Sequence, residues 1–311
     1  MRFRQLTTII LISAVFLLLS CAPNGITRVD TFAVRVTDDE SDIGIKIPTA
    51  PGFSVEKTTV SGESVIDYSN FHNGYIMMKN NGSERKLKGY IKTPDGIFYQ
   101  YNLNADDNFI VCPLQAGSGL YTVQIMEQTV SSLYRSIARV DINVSLKDDT
   151  LPFLYPNYKV NYTEQSLCIK KANELTEGLE NDLQKIEAIY DFVINNIEYD
   201  EEKADEVQPG YVPAPDATLL KGSGICSDYA ALIAAMLRSQ GIPTKFVEGY
   251  APGDIRHAWN LVYTKDTGVV ATKIEFDGSW TMIDSTFGAM LGDLVGDYIG
   301  DGSTFEEDLF Y

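Results

Sequence analysis

The amino-acid sequence predicts an α+β protein preceded by a β-sandwich, and three observations carry that prediction. Between residues 29 and 147 apolar and polar residues alternate with a period of two. From 163 to about 240 the apolar spacing changes to three and four, as in helices that bury one face. From 244 onward strand-like runs return. Helices followed by an antiparallel sheet make the second half α+β.

The chain has 311 residues, enough for two domains and a buried core. Apolar residues make up 44% and charged residues 22%, ordinary for a globular protein. The net charge of −18 is not ordinary. It argues against holding nucleic acid, which is gripped through its phosphates by cations.

The N-terminus stands outside the expected fold. "MRFRQ" is basic, and "IILISAVFLLL" (9–19) is an apolar run too short to cross a bilayer comfortably. Residues 1–20 therefore read as a secretory signal. "LLSC" (18–21) resembles a bacterial lipobox. That resemblance implies a lipidated Cys21 as the new N-terminus, with more than one acyl chain for stable anchoring. The expected location is the extracytoplasmic side of the cell membrane, with 21–28 as a polar tether.

In the strand-rich region 29–147, "FAVRV" (32–36), "IGIKI" (43–47), "GLYTVQI" (119–125) and "ARVDINVSL" (138–146) alternate. Asn81-Gly82 and Pro94-Asp95-Gly96 mark turns between such runs. Many short strands separated by turns predict an immunoglobulin-like sandwich. Prolines and acids then break the alternation, so 148–162 reads as an interdomain linker. The second domain, 163–311, begins with Thr163 as a helix cap ahead of Cys168, Ala172 and Leu175. Asn181 and Gln184 suggest a capping box for a second helix. The acidic stretch 199–222 reads as a long loop. Gly241 and Pro243 end the helix that follows it. The Gly-Asp-rich tail after 290 reads as solvated turns.

Four cysteines are present. Cys112 and Cys168 look like small core residues. Cys226 is different, because "GSGICSDYAALIAAMLRSQGIP" (222–243) sets it at the first turn of a helix. Unpaired N–H groups and the helix dipole there favour a thiolate over a thiol. The Cys226 N–H supplies half of an oxyanion hole. Expelling an amine also needs a proton donor. Of the two histidines, His72 falls in a loop and His257 at the start of a strand after the cysteine helix. His257 needs an acceptor to orient its ring, and Asp284 ends a nearby strand. No metal-ligand pattern occurs, and no cofactor is implied.

These residues carry a resemblance. "GSGICSDYAALIAAMLRSQGIPTKFVEGY", "RHAWNLVY" and "SWTMIDSTFG" resemble the motif blocks of the bacterial transglutaminase-like superfamily, including the Arg-x-x-Gly-Ile-Pro after the helix. The resemblance covers about 170–290. It implies a papain-like core in which Cys226, His257 and Asp284 form a catalytic triad. It also implies a second oxyanion donor upstream, for which Tyr211 and Gln208 are the candidates. The long "TKDTGVVATKIEFDG" (264–278) between the His and Asp strands suggests an enlarged hairpin screening the site.

The expected function is a surface-anchored, cysteine-dependent acyl transfer on amide or peptide carbonyls. The acyl-enzyme is resolved by water, as in a peptidase or amidase, or by an amine, as in a transglutaminase. The expected partners are a protein or peptide substrate and the membrane through Cys21. The rival expectation is a binding or scaffold lipoprotein that keeps the fold without turnover.

Overall fold

A computed structural model describes residues 57–271 and 274–311. Cys21, the signal and tether, and the strand-like runs at 32–36 and 43–47 lie outside the described residues.

The first half is all β. Strands β1 (Thr58–Ser61), β2 (Ser64–Asp67) and β3 (Tyr75–Asn80) lead to β4 (Leu87–Lys92), β5 (Phe98–Leu103) and β6 (Ile110–Pro113). The long strands β7 (Gly119–Gln128) and β8 (Tyr134–Val144) complete it. They form two four-stranded antiparallel sheets, ordered β1-β2-β3-β6 and β5-β4-β7-β8. The period-two pattern sorts side chains between faces: in β5, Tyr99, Tyr101 and Leu103 are buried while Phe98, Gln100 and Asn102 are exposed. Strands β1 and β2 lie against β8, which brings the two inner faces together.

The second half opens with α1 (Leu167–Thr176) and α2 (Asp182–Asn196). Thr163 does not cap α1. Ser166 takes the cap position instead, and its hydroxyl accepts the Thr163 N–H at 3.0 Å. Asn181 caps α2 by accepting the Gln184 N–H at 2.9 Å. The stretch 199–222 is not one loop. It holds β9 (Glu198–Tyr199), α3 (Glu201–Glu206) and α4 (Pro215–Lys221). Next come β10 (Ser223–Gly224) and the buried helix α5 (Cys226–Ser239). Gly241, with φ 80°, follows that helix in the left-handed region.

The strands β11 (Thr244–Ala251), β12 (Ile255–Tyr263), β13 (Thr267–Val270), β14 (Ile274–Asp277) and β15 (Trp280–Ile283) follow, then α6 (Ser285–Leu291), α7 (Val295–Ile299) and β16 (Glu306–Phe310). Antiparallel order β15-β12-β11-β16 makes the main sheet. One face packs on α5, where Asn260 donates to the Ala230 carbonyl at 3.0 Å. The other face buries Val247 and Trp259 under Val295, Ile299 and Phe305.

Two segments differ from what the sequence suggested. The tail after 290 is packed, not solvated: Gly-Asp pairs do mark its turns, but the apolar residues between them cover the second face of the main sheet. The stretch 148–162 is also packed. Phe153, Leu154, Val160 and Tyr162 are buried, and residues of both halves join a single apolar core. Lys159 from this stretch donates to Glu248 Oε1 at 2.7 Å and to the Tyr211 carbonyl at 3.2 Å. All described residues belong to one compact unit.

The Arg-x-x-Gly-Ile-Pro motif has a structural reason. Arg238, near the end of α5, is buried and donates to three carbonyls: Thr244 (2.8 Å), Tyr155 (2.8 Å) and Tyr311 (2.7 Å). One guanidinium thus ties the cysteine helix to the 148–162 stretch, to the strand that follows the helix and to the chain's last residue.

Candidate active site

Cys226 is the first residue of α5, half-buried, and its position is set from both sides. Upstream, β10 pairs with β9 in parallel, matching Gly224 with Tyr199. The Asp200 N–H donates to the Gly224 carbonyl at 3.0 Å. Downstream, the Asp228 carboxylate accepts the Ile225 N–H at 2.9 Å, and the Asp228 N–H donates to the Ile225 carbonyl at 2.8 Å. This reciprocal pair fixes the first turn. Gly224 is needed for it: a Cβ there would stand 2.6 Å from Asp228 Cβ. The glycine before the cysteine therefore admits Asp228.

His257 lies on β12 opposite Gly249 and is 5% exposed. Its Nε2 is 2.7 Å from Asp284 Oδ2. That leaves Nδ1 unengaged by Asp284, and the nearby Cys226 thiol favours the imidazolium further. Burial works against the imidazolium, but Asp284 and then Cys226 outweigh it, pushing the His257 pKa up to about 10. Phe287 packs against the ring with centroids 4.6 Å apart.

Asp284 follows β15 and caps α6. Its Oδ1 accepts the Phe287 N–H at 2.9 Å, and its carbonyl accepts the Tyr190 hydroxyl at 3.3 Å. With Oδ2 on His257, both carboxylate oxygens are occupied and the side chain cannot rotate freely. The structure thus brings Cys226, His257 and Asp284 together from three separate elements.

The two other candidate residues are placed differently. The Tyr211 hydroxyl donates to Asp228 Oδ1 at 2.7 Å, so its proton is already engaged. Gln208 is exposed, and its amide donates to the Glu206 carbonyl. Tyr199, which sequence reasoning missed, is held next to the cysteine turn by the β9–β10 pairing. Burial pushes its phenol pKa up to about 12, and its neighbours Cys226, Glu201 and Asp205 add to the effect. Among the described residues its hydroxyl makes no side-chain hydrogen bond. The hairpin of β13 and β14 packs on α2, where Thr264 donates to Asp182 and the Ala271 N–H to Glu187.

Residues 169–281 match the family model of the Transglutaminase-like superfamily, so the chain carries a transglutaminase-like domain. The match includes Cys226 and His257 and stops just short of Asp284. The chain is also similar to the kyphoscoliosis peptidase of Mus musculus, 29% identical over 151 residues, and to that of Homo sapiens, 27% identical over 149. Those alignments cover 43% and 44% of this chain, and 21% of each relative's own length. Among solved structures, the periplasmic domain of TgpA from Pseudomonas aeruginosa aligns with a TM-score of 0.33 and 15% identity, covering 80% of each chain. Red sea bream transglutaminase aligns with a TM-score of 0.32 and 14% identity, covering 70% of this chain and 49% of its own. Likenesses of this degree carry no inference about this chain. Among the described residues, no helix is long and apolar enough to cross a membrane.

Proposed function

We propose that this chain is a cysteine-dependent acyl-transfer enzyme acting on amide or peptide carbonyls. The observation that carries the reading is the Cys226–His257–Asp284 chain, with Asp284 pinned through both oxygens. Cys226 Sγ attacks the carbonyl carbon as a thiolate, its proton held on His257 Nδ1. The tetrahedral oxyanion is met by the Cys226 N–H at the helix start and by the Tyr199 hydroxyl. Collapse breaks the C–N bond, and His257 gives its proton to the departing amine. Asp284 holds the ring in the tautomer and orientation that both transfers need. Water or a second amine then attacks the thioester and returns the thiol.

The same reading places the protein on the extracytoplasmic side of the cell membrane, held by lipid on Cys21, with a protein or peptide as substrate. Cys21→Ser should move the full chain out of the detergent phase on phase partitioning. Retention there by the variant would remove the anchor.

Acyl trapping tests the chemistry. The full chain is incubated with p-nitrophenyl acetate, quenched in acid and digested. The acetyl group should be found on the peptide carrying Cys226, and should be missing in His257→Ala. A wild-type chain that forms no acetyl-enzyme would favour the binding or scaffold reading.

A further inference from the structure

Asp228 stands two residues after Cys226 in the first turn of α5, and it is fully buried. Its capping bond to the Ile225 N–H shapes the turn, but its charge is badly placed. A buried carboxylate in the same turn as a thiolate opposes the ionisation that the helix N-terminus favours. The structure supplies a counter-charge from outside the helix. Lys203, in α3, donates to Asp228 Oδ2 at 2.5 Å and to the Tyr211 hydroxyl at 2.8 Å. Tyr211 closes the triangle by donating to Asp228 Oδ1 at 2.7 Å. The Lys203 ammonium also lies 4.6 Å from the centroid of the Tyr211 ring. Burial disfavours this ammonium, yet its bonds to Asp228 and Tyr211 raise its pKa above the ordinary lysine value. It stays charged across the working pH range.

We propose that Lys203 is a positioning residue for the nucleophile, cancelling the buried Asp228 charge in the turn that carries Cys226 and tying the 200–214 connection to the first turn of α5. This rests on the reading of Cys226 as a nucleophilic thiolate. It explains how an acid is compatible with the Cys-x-Asp spacing: Asp228 gives the turn its shape, and Lys203 removes the electrostatic cost of that shape. Two other titratable groups lie near the sulfur. His257 from β12 is bound to Asp284, and Tyr199 from β9 is near Glu201 and Asp205. Neither group neutralises Asp228.

The test is a charge cycle read by iodoacetamide alkylation of Cys226 in the full chain, with the rate at pH 6 divided by the rate at the alkaline plateau. Lys203→Met leaves Asp228 unpaired, and the ratio should fall about tenfold, as for a shift of about one unit. Asp228→Asn keeps an oxygen for the Ile225 N–H and removes the charge, so its ratio should equal or exceed the wild-type ratio. The double variant should return to the wild-type ratio, and Lys203→Arg should retain it. A purely structural bridge predicts no such sign pattern. A wild-type ratio in Lys203→Met, or a double variant as low as Lys203→Met, overturns the inference and leaves the function reading standing. Should Lys203→Met fail to fold, the comparison of Asp228→Asn with the double variant decides: a large difference between them overturns the inference. A wild-type chain that alkylates like a free cysteine overturns the function reading and the inference together.

Discussion

Replacing Arg238 with Met tests whether the two halves of the chain are one structure. The guanidinium is 2% exposed, and its three bonds reach Thr244, Tyr155 and Tyr311. Hydrogen bonds from a charged donor contribute about 1.5–3 kcal/mol each. Their loss leaves three carbonyls, those of Thr244 and Tyr311 buried, without this donor. Against this, burial pulls the Arg238 pKa down to about 10, a desolvation cost of about 3 kcal/mol that the Met variant no longer bears. The three bonds outweigh that relief, and a net loss of about 3 kcal/mol is expected. In urea the midpoint should fall by roughly 1–2 M. Both tryptophans, Trp259 and Trp280, lie in the second half, whereas far-UV circular dichroism also reads the sandwich strands. The two signals should move together, because Tyr155 belongs to the stretch that joins the halves. A midpoint shift below about 0.3 M would show that the bonds barely exceed the cost of burying the charge. A fluorescence transition that separates from the dichroism would show that the halves unfold independently.

Other perturbations follow from the same geometry. Gly224→Ala forces a Cβ to within 2.6 Å of Asp228 Cβ, so the first turn of α5 must shift. Turnover of an acyl donor should drop about 100-fold, since a displacement near 1 Å is enough for such a loss, and the overpacked turn should also cost about 1–3 kcal/mol of stability. Cys226→Ala should abolish turnover and leave the midpoint nearly unchanged. Asp284→Ala should retain more activity than Cys226→Ala but cost stability, because it removes a helix cap of about 1 kcal/mol as well as the His257 partner. Stability should also depend on pH through His257. Its pKa is raised from 6.5 to about 10 on folding, so the His257–Asp284 contribution is fully present below about pH 6.5 and fades as pH rises towards 10. Urea midpoints for wild type and His257→Gln should therefore converge over that window.

The parts that were legible in the sequence are local. The alternation in β7 and β8, the apolar spacing in α2, and the glycine-cysteine-helix stretch each state their structure locally. His257 and Asp284 are equally visible, because each stands on or beside a strand that carries a tryptophan. What was not legible depends on non-local pairing or on where apolar residues are buried. Prolines and acids in 148–162 announce the end of regular structure, not exposure, and Phe153, Val160 and Lys159 find partners far along the chain. The tail misled for a similar reason, since its turns are obvious and its apolar contacts with Trp259 are not. Tyr199 reaches the cysteine turn through a parallel pairing of two-residue strands, which has no periodicity to read. The fate of the Tyr211 hydroxyl depends on a buried Asp228, and that burial depends in turn on Gly224.

The central claim is that His257 holds the Cys226 thiol ready as a nucleophile, and the pH profile of Cys226 alkylation tests it most directly. Iodoacetamide rates are measured across the acidic and alkaline range in wild type and in His257→Ala, with the modified peptide identified by mass spectrometry. The account predicts a wild-type profile that extends well into the acidic range, and a His257→Ala profile displaced towards that of a free cysteine. Two superimposable profiles, both centred where a free cysteine titrates at about 8.5, would contradict it.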